Sequence, residues 1–205
     1  MGIADSLTMR TKKRWTFFIV ALLAGLSAIG RAQILELDPA QTSVKFTLGD
    51  VLHTVHGTFK LKRGGLELDP AQGRLTGEIV VDAKSGESGS GMRDRKMHRE
   101  VLESEAYPEI SFRPDRVEGA VAAFGKSSVK VHGIFQIHGV DREIDVPAEV
   151  EMATDRWSAT VHFTIPYAKW GMKNPSTLFL RVNDSVEIEL NAAGNAKPKP
   201  HPVAQ

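Results

Sequence analysis

The side chains best suited to chemistry are five of the seven histidines, a serine among glycines and a short run of cations. His53, His56, His132, His138 and His162 invite a metal reading. Residues three apart on a strand face opposite sides, so His53 and His56 converge only across a turn. His132 and His138 share a face but stand about 20 Å apart at strand rise. With no cysteine, no HExxH and no clustered Asp/His spacing, the sequence offers no metal site. Ser88 lies in Gly86-Glu87-Ser88-Gly89-Ser90 without the elbow and triad context that would make it a nucleophile. Phosphate-cradling loops and dinucleotide fingerprints are also missing, so no catalytic residue and no cofactor is assigned. The cations are the exception. Arg93, Arg95 and Lys96 begin a helical pattern whose end carries Glu103 and Glu105, the reverse of what the helix dipole prefers. Such a start suits an anion, of which a phosphate or diphosphate is the natural case.

The elements that must position these groups read as strands. Val44, Phe46 and Leu48 alternate with Lys45 and Thr47, and Val55, Gly57, Phe59 and Leu61 alternate with polar residues. Leu75, Gly77, Ile79 and Val81 follow the same rule, although Val80 breaks the polar side. The rule returns in Val129–Ile137, Ile144–Met152, Trp157–Ile165 and Val186–Leu190. One wet and one apolar face per strand is the mark of an antiparallel sheet. Arg63-Gly64-Gly65 and Gly139-Val140-Asp141-Arg142 supply turns. Leu-Glu-Leu-Asp-Pro-Ala-Gln occurs at Leu35–Gln41 and at Leu66–Gln72, and reads as one strand-ending Asp-Pro turn used twice. Between Gly91 and Tyr107 the period changes. Residues 92–105 read as the single helix, with Met97, Val101 and Leu102 on one face, ended by Tyr107-Pro108.

The first 32 residues read as a secretory signal rather than fold. A basic cluster (Arg10, Lys12, Lys13, Arg14) precedes an apolar run from Trp15 to Ile29. The run is shorter than the roughly 20 residues of a membrane span, and small residues follow it. Cleavage after Gly30 or, preferably, Ala32 would follow, the latter leaving Gln33 as the mature N-terminus, with an uncleaved anchor as the alternative; translation from Met9 would still include the cluster. Of 26 basic and 25 acidic residues, five and one lie in this segment, so the mature charge is −3. That balance gives no reason to expect nucleic-acid binding. Export without cysteines leaves stability to an ordinary core. Residues 33–193 read as one domain, and 194–205, with Pro198, Pro200 and Pro202, as a disordered tail. A stable membrane span is not expected, and a homodimer is compatible with the reading.

About eight strands and one helix fit a sandwich or a closed barrel, and only the barrel disposes of its edges. Gly57, Gly77, Gly133, Ala148 and Ala159 fall on inward positions, where they leave room or permit sharp coiling. Phe46, Val55, Phe59, Leu61, Phe112, Phe135, Ile137, Val161 and Phe163 then either touch one another as core or line an interior space.

Five segments, in order, carry a resemblance. Leu37–Phe46, Val55–Phe59, Met97–Leu102 with Tyr107–Phe112, Gly133–Arg142 and Trp170–Met172 are similar to YceI-like proteins, the lipocalin-like polyisoprenoid-binding family. The resemblance reaches about Ala193 and departs at Gln41, where relatives often carry histidine. It implies an all-β fold, an eight-stranded antiparallel lipocalin-like β-barrel with one inserted helix. It also implies a long apolar tunnel that binds an isoprenoid lipid in the periplasm or outside the cell, without catalysis. In that setting the nine apolar residues become the lipid-binding lining. Arg93, Arg95 and Lys96 become a head-group site at the barrel mouth. Two other functions remain open: a barrel enzyme acting on a lipid, which would need convergent inward titratable groups, and an interaction module with a filled core.

Overall fold

A computed structural model describes residues 31–49, 54–177 and 181–200. The alternating segments form nine strands: β1 (Gln33–Leu37), β2 (Ser43–Gly49), β3 (Thr54–Asp69), β4 (Arg74–Glu87), β5 (Glu109–Glu118), β6 (Gly125–Ile137), β7 (Val140–Met152), β8 (Arg156–Ile165) and β9 (Val186–Pro198). All pair antiparallel in the order β1-β3-β2-β9-β8-β7-β6-β5-β4, with further pairings β1–β9 and β3–β4. The β3–β4 pairing closes the ring.

The ring has eight positions because β1 and β2 share one. β2 lies beside the first half of β3 (Val44 opposite Phe59) and the first half of β9 (Phe46 opposite Ile188). β1 lies beside the second halves, with Leu35 opposite both Leu66 and Ala196. The bend between them is the first copy of the repeated heptapeptide. Asp38 Oδ1 accepts from Ala40 N at 2.9 Å, and the second copy repeats this from Asp69 Oδ1 to Ala71 N at 3.1 Å. Both are Asp-Pro turns closed by the aspartate side chain, as the composition predicts. Gln41 bonds Asp38 and Arg156 on the outer wall, away from the interior.

Two expectations need correction. The barrel does not stop at Ala193: Gly194 to Pro198 pair with Leu37 to Gln33, and Lys199 N donates to Ala32 O at 2.8 Å. Pro198 takes the final ladder position, where a missing N–H costs least. The helix is also shorter than residues 92–105. It comprises α1 (Gly91–Lys96) and a π-helical turn (Met97–Val101). Glu103, at φ 45°, then takes the left-handed conformation that ends it, and its carbonyl accepts from Ala106 N and Tyr107 N.

The inward glycines are occupied by neighbours. At Gly57, opposite Phe46 in register, a Cβ would stand 2.3 Å from the Phe46 ring and 2.4 Å from the Glu87 carbonyl oxygen. Gly77 has φ 117°, and a Cβ there would meet the Gly65 carbonyl oxygen at 2.2 Å. These residues let strands coil and an aromatic ring lie flat on the wall.

Buried apolar residues form two clusters stacked along the barrel. One holds Leu35, Leu66, Leu68, Leu75, Val117 and Trp157. The other, toward the helix, holds Leu102, Phe135, Ile137, Ile165, Tyr167 and Met172. Outside, Arg63 at a bulge in β3 bonds Glu109 of β5 at 2.9 Å and Glu78 of β4 at 3.3 Å, and Lys62 reaches Glu109 at 2.9 Å. Hydrogen bonds from Arg63, then Lys62, hold the Glu109 carboxyl down at about 2, from an ordinary 4.5.

Gly57→Ala is expected to destabilise by about 1–3 kcal/mol in denaturant unfolding, because both the ring and a carbonyl oppose the new methyl. Glu109, depressed in the folded state, contributes stability that is present above pH 4.5 and lost as pH falls through about 2. The melting temperatures of wild type and Glu109→Gln should therefore differ at neutral pH and converge toward pH 2, with the difference shrinking in high salt.

Candidate functional site: an apolar interior with one charged end

The strands alternate, so their inward residues face a common axis, and the two clusters leave a cavity of about 390 Å³ between them. That lies within the range of sites for single small ligands. Its wall draws on every strand, from Leu35, Leu68 and Val117 at one end to Phe135, Ile165 and Val186 at the other. Of the nine residues expected to line it, Phe46, Val55, Phe59, Phe112, Phe135, Ile137, Val161 and Phe163 do. Leu61 does not: it is buried in the core cluster next to the β3 bulge, off the cavity wall. Phe46 and Phe59 meet at 5.5 Å between centroids, and Phe135 and Phe163 at 5.8 Å.

Among the connections of described residues, three meet at the end where β4 finishes and β5 begins: residues 88–108 with the helix, the β6–β7 turn, and the described part of residues 166–185 between β8 and β9. Among the described residues, the charged members of the cavity wall, Arg93, Asp94 and Lys96, all come from α1 at this mouth. Arg93 donates from Nε to Ser88 Oγ (3.1 Å) and from Nη2 to Ser88 O (3.0 Å). Asp94 Oδ1 accepts from Ser88 N at 2.8 Å and from its hydroxyl at 2.6 Å. Lys96 Nζ donates to Pro175 O at 2.8 Å, and one turn on, Glu100 pairs with Lys173 at 2.7 Å. The helix is thereby fastened across the opening to the β8–β9 connection.

The expected triad divides here. Arg93 and Lys96 border the cavity, whereas Arg95 is exposed and does not. With α1 only six residues long, the cations lie in its last turn. Any attraction between them and an anion would therefore rest on their own charge rather than on the helix dipole.

Sequence reasoning missed the other half of the mouth. Tyr167, Met172, Pro175, Thr177 and Val182 border the cavity from the β8–β9 connection, which has no periodicity to betray an inward face. Tyr167 is 4% exposed and donates to Asn183 O at 2.5 Å. Burial, then the charge of Asp184, pushes its phenol up to about 12, so it remains a donor. Arg142 braces the same connection, bonding Trp170 O at 2.7 Å with its guanidinium 5.0 Å from the Trp170 ring centre.

The histidines are spread apart. His132 Nδ1 lies 2.7 Å from Asp115 and His56 Nδ1 3.1 Å from the Thr47 hydroxyl. His138, at φ 54°, stacks against Tyr107 with 4.4 Å between centroids. His98 gives Nε2–H to Gly86 O (2.9 Å) and accepts from Ser104 at Nδ1 (3.0 Å), which pins the helix to β4. Among the described residues no three His, Cys, Asp or Glu groups are placed to share a metal ion. His53 lies outside the described residues.

Residues 35–193 match the YceI-like domain. The chain belongs to the YceI-like family. Solved structures agree on the fold. BcnA of Burkholderia cenocepacia superposes with a TM-score of 0.64 at 17% identity, covering 78% of this chain and 99% of its own. A polyisoprenoid binding domain from Saccharophagus degradans, implicated in plant cell wall breakdown, gives 0.61 at 17% identity over 82% and 99%. The Campylobacter jejuni YceI protein gives 0.57 at 16% identity over 70% and 86%. No curated protein matches the chain. Among the described residues no helix is long and apolar enough to cross a membrane.

Tyr167→Phe removes the donor to Asn183 O and leaves that carbonyl partly buried. A loss of about 1–2 kcal/mol is expected in thermal or denaturant unfolding, with the strand content unchanged by circular dichroism.

Proposed function

We propose that this protein binds an amphiphilic isoprenoid lipid, of the polyprenyl phosphate or quinone type, and carries or sequesters it outside the cytoplasm without a catalytic step. The observation that carries this is the polarity of the cavity. Among the described residues its wall is apolar along the strands apart from Ser111 of β5, and charged only at the helix. A branched hydrocarbon chain entering such a space would gain about 25 cal/mol for each Å² removed from water, less the cost of ordering both partners. The head group would then sit at the mouth, within reach of Arg93 and Lys96. A polyisoprenoid-binding domain of the same fold supports the ligand class.

Export is supported by the basic cluster and apolar run, and by the coincidence of the expected mature N-terminus, Gln33, with the first residue of β1. A chain cut there keeps every strand of the ring.

Native mass spectrometry of the protein recovered from outside the cytoplasm tests these points together. The expected mass begins at Gln33 and carries one lipid. Ala148, on the cavity wall and opposite Val161 in register, gives a variant that fills the space. Ala148→Phe should lower lipid occupancy at least tenfold while preserving strand content. A wild-type protein that stays empty in excess polyprenyl phosphate and in excess quinone would overturn the carriage reading, and turnover of either lipid would identify an enzyme.

A further inference from the structure

The mouth helix has an outer face that the cavity does not use. Met92, Arg93, Arg95 and Arg99 are exposed, while Asp94, Lys96, Met97, His98 and Glu100 are partly covered. Met92 is 76% exposed, the highest value among the exposed large apolar side chains of the described residues. Beside it, Arg95 and Arg99 make no hydrogen bond or ion pair within the described residues. Both carboxylates of the helix, by contrast, are engaged, Asp94 by Ser88 and Glu100 by Lys173. An exposed apolar side chain thus shares the helix with exposed arginines that make no ion pair within the described residues, at the rim of an apolar cavity.

We propose that this face docks the protein on an anionic bilayer with the cavity opening toward the membrane. The direction of lipid transfer rests on the carriage reading above; the docking does not. Two observations, and one argument that rests on the carriage reading, favour a bilayer over an acidic protein. Arg93 belongs both to the exposed face and to the cavity wall, so the surface and the opening are continuous. An apolar chain passing directly between bilayer and cavity avoids exposure to water. The two ends of the described chain lie at the far end of the barrel, where Gln33 pairs with Leu68 and Pro198, so neither obstructs the mouth. Arginines near an anionic surface add attraction that fades with ionic strength, and Met92 would enter the interfacial region.

Sedimentation with sucrose-loaded vesicles tests this, using phosphatidylcholine alone and phosphatidylcholine mixed with phosphatidylglycerol. Partition onto the phosphatidylglycerol vesicles should be at least tenfold stronger and should weaken in high salt. Arg95→Gln and Arg99→Gln should each cost about fivefold, and the pair about thirtyfold. Met92→Ser should weaken partition severalfold, whereas Phe124→Ser, 68% exposed on the β5–β6 connection at the far end, should leave it unchanged. Equal partition onto both vesicle types, or an unaffected Arg95→Gln/Arg99→Gln double variant, would overturn the proposal. Loading from detergent micelles separates the two readings. The double variant should load normally from micelles and slowly from vesicles. A protein that binds phosphatidylglycerol vesicles but loads from neither source would keep the docking face and lose the carriage reading.

Discussion

Closure of the sheet through β3–β4 is the constraint on which the rest depends. A ring of eight positions has no edge, and its inner residues form a continuous surface that no second layer covers. The interior must therefore be apolar enough to exclude isolated polar groups and need not be full. Small inward residues serve closure. Gly57 and Gly77 let neighbouring backbone and the Phe46 ring approach, which sets the wall's curvature. The cavity lies between the two clusters, where inward side chains leave the axis open.

Closure also imposes a cost at one place. Long strands must coil, and β3 does so with bulges near Lys60 and Arg63. On the outside, Arg63 uses its bulge to reach Glu78 and Glu109 on two other strands. In the neighbouring ring position the same need is met by interrupting a strand, so that β1 and β2 succeed one another beside β3 and β9. Val80 reflects the crowding on this side: it is fully buried, and its register partners are Arg63 and Ser111.

Most of the wall was legible because period two reports which side of a strand is dry. The apolar sets of β2, β6, β7 and β8 face inward as their alternation predicts. What was not legible falls under three physical causes. Bulges move residues relative to their neighbours without leaving a strong mark in composition, which is how Leu61 came to be buried off the wall. Small residues carry little hydrophobic signal, so Ala192, Gly194 and Ala196 concealed the continuation of β9 behind a run of prolines. Irregular segments have no period at all. The mouth residues Tyr167, Met172 and Pro175, and the left-handed Glu103 that ends the helix without a glycine, depend on tertiary contacts. The cations of α1 were legible as a cluster, but their separation into inner and outer members required the helix orientation.

The cavity wall takes residues from all nine strands, so anything bound along the axis touches the whole ring at once. In an ordinary domain the side chains that join opposite walls are encoded by the chain itself. On the carriage reading proposed above, part of that material would be acquired. A resident lipid would act as an internal strut, coupling strands that otherwise communicate only around the circumference, and its departure would loosen them together. On that reading rigidity would report occupancy, and the folded state would carry a record of whether a lipid was bound.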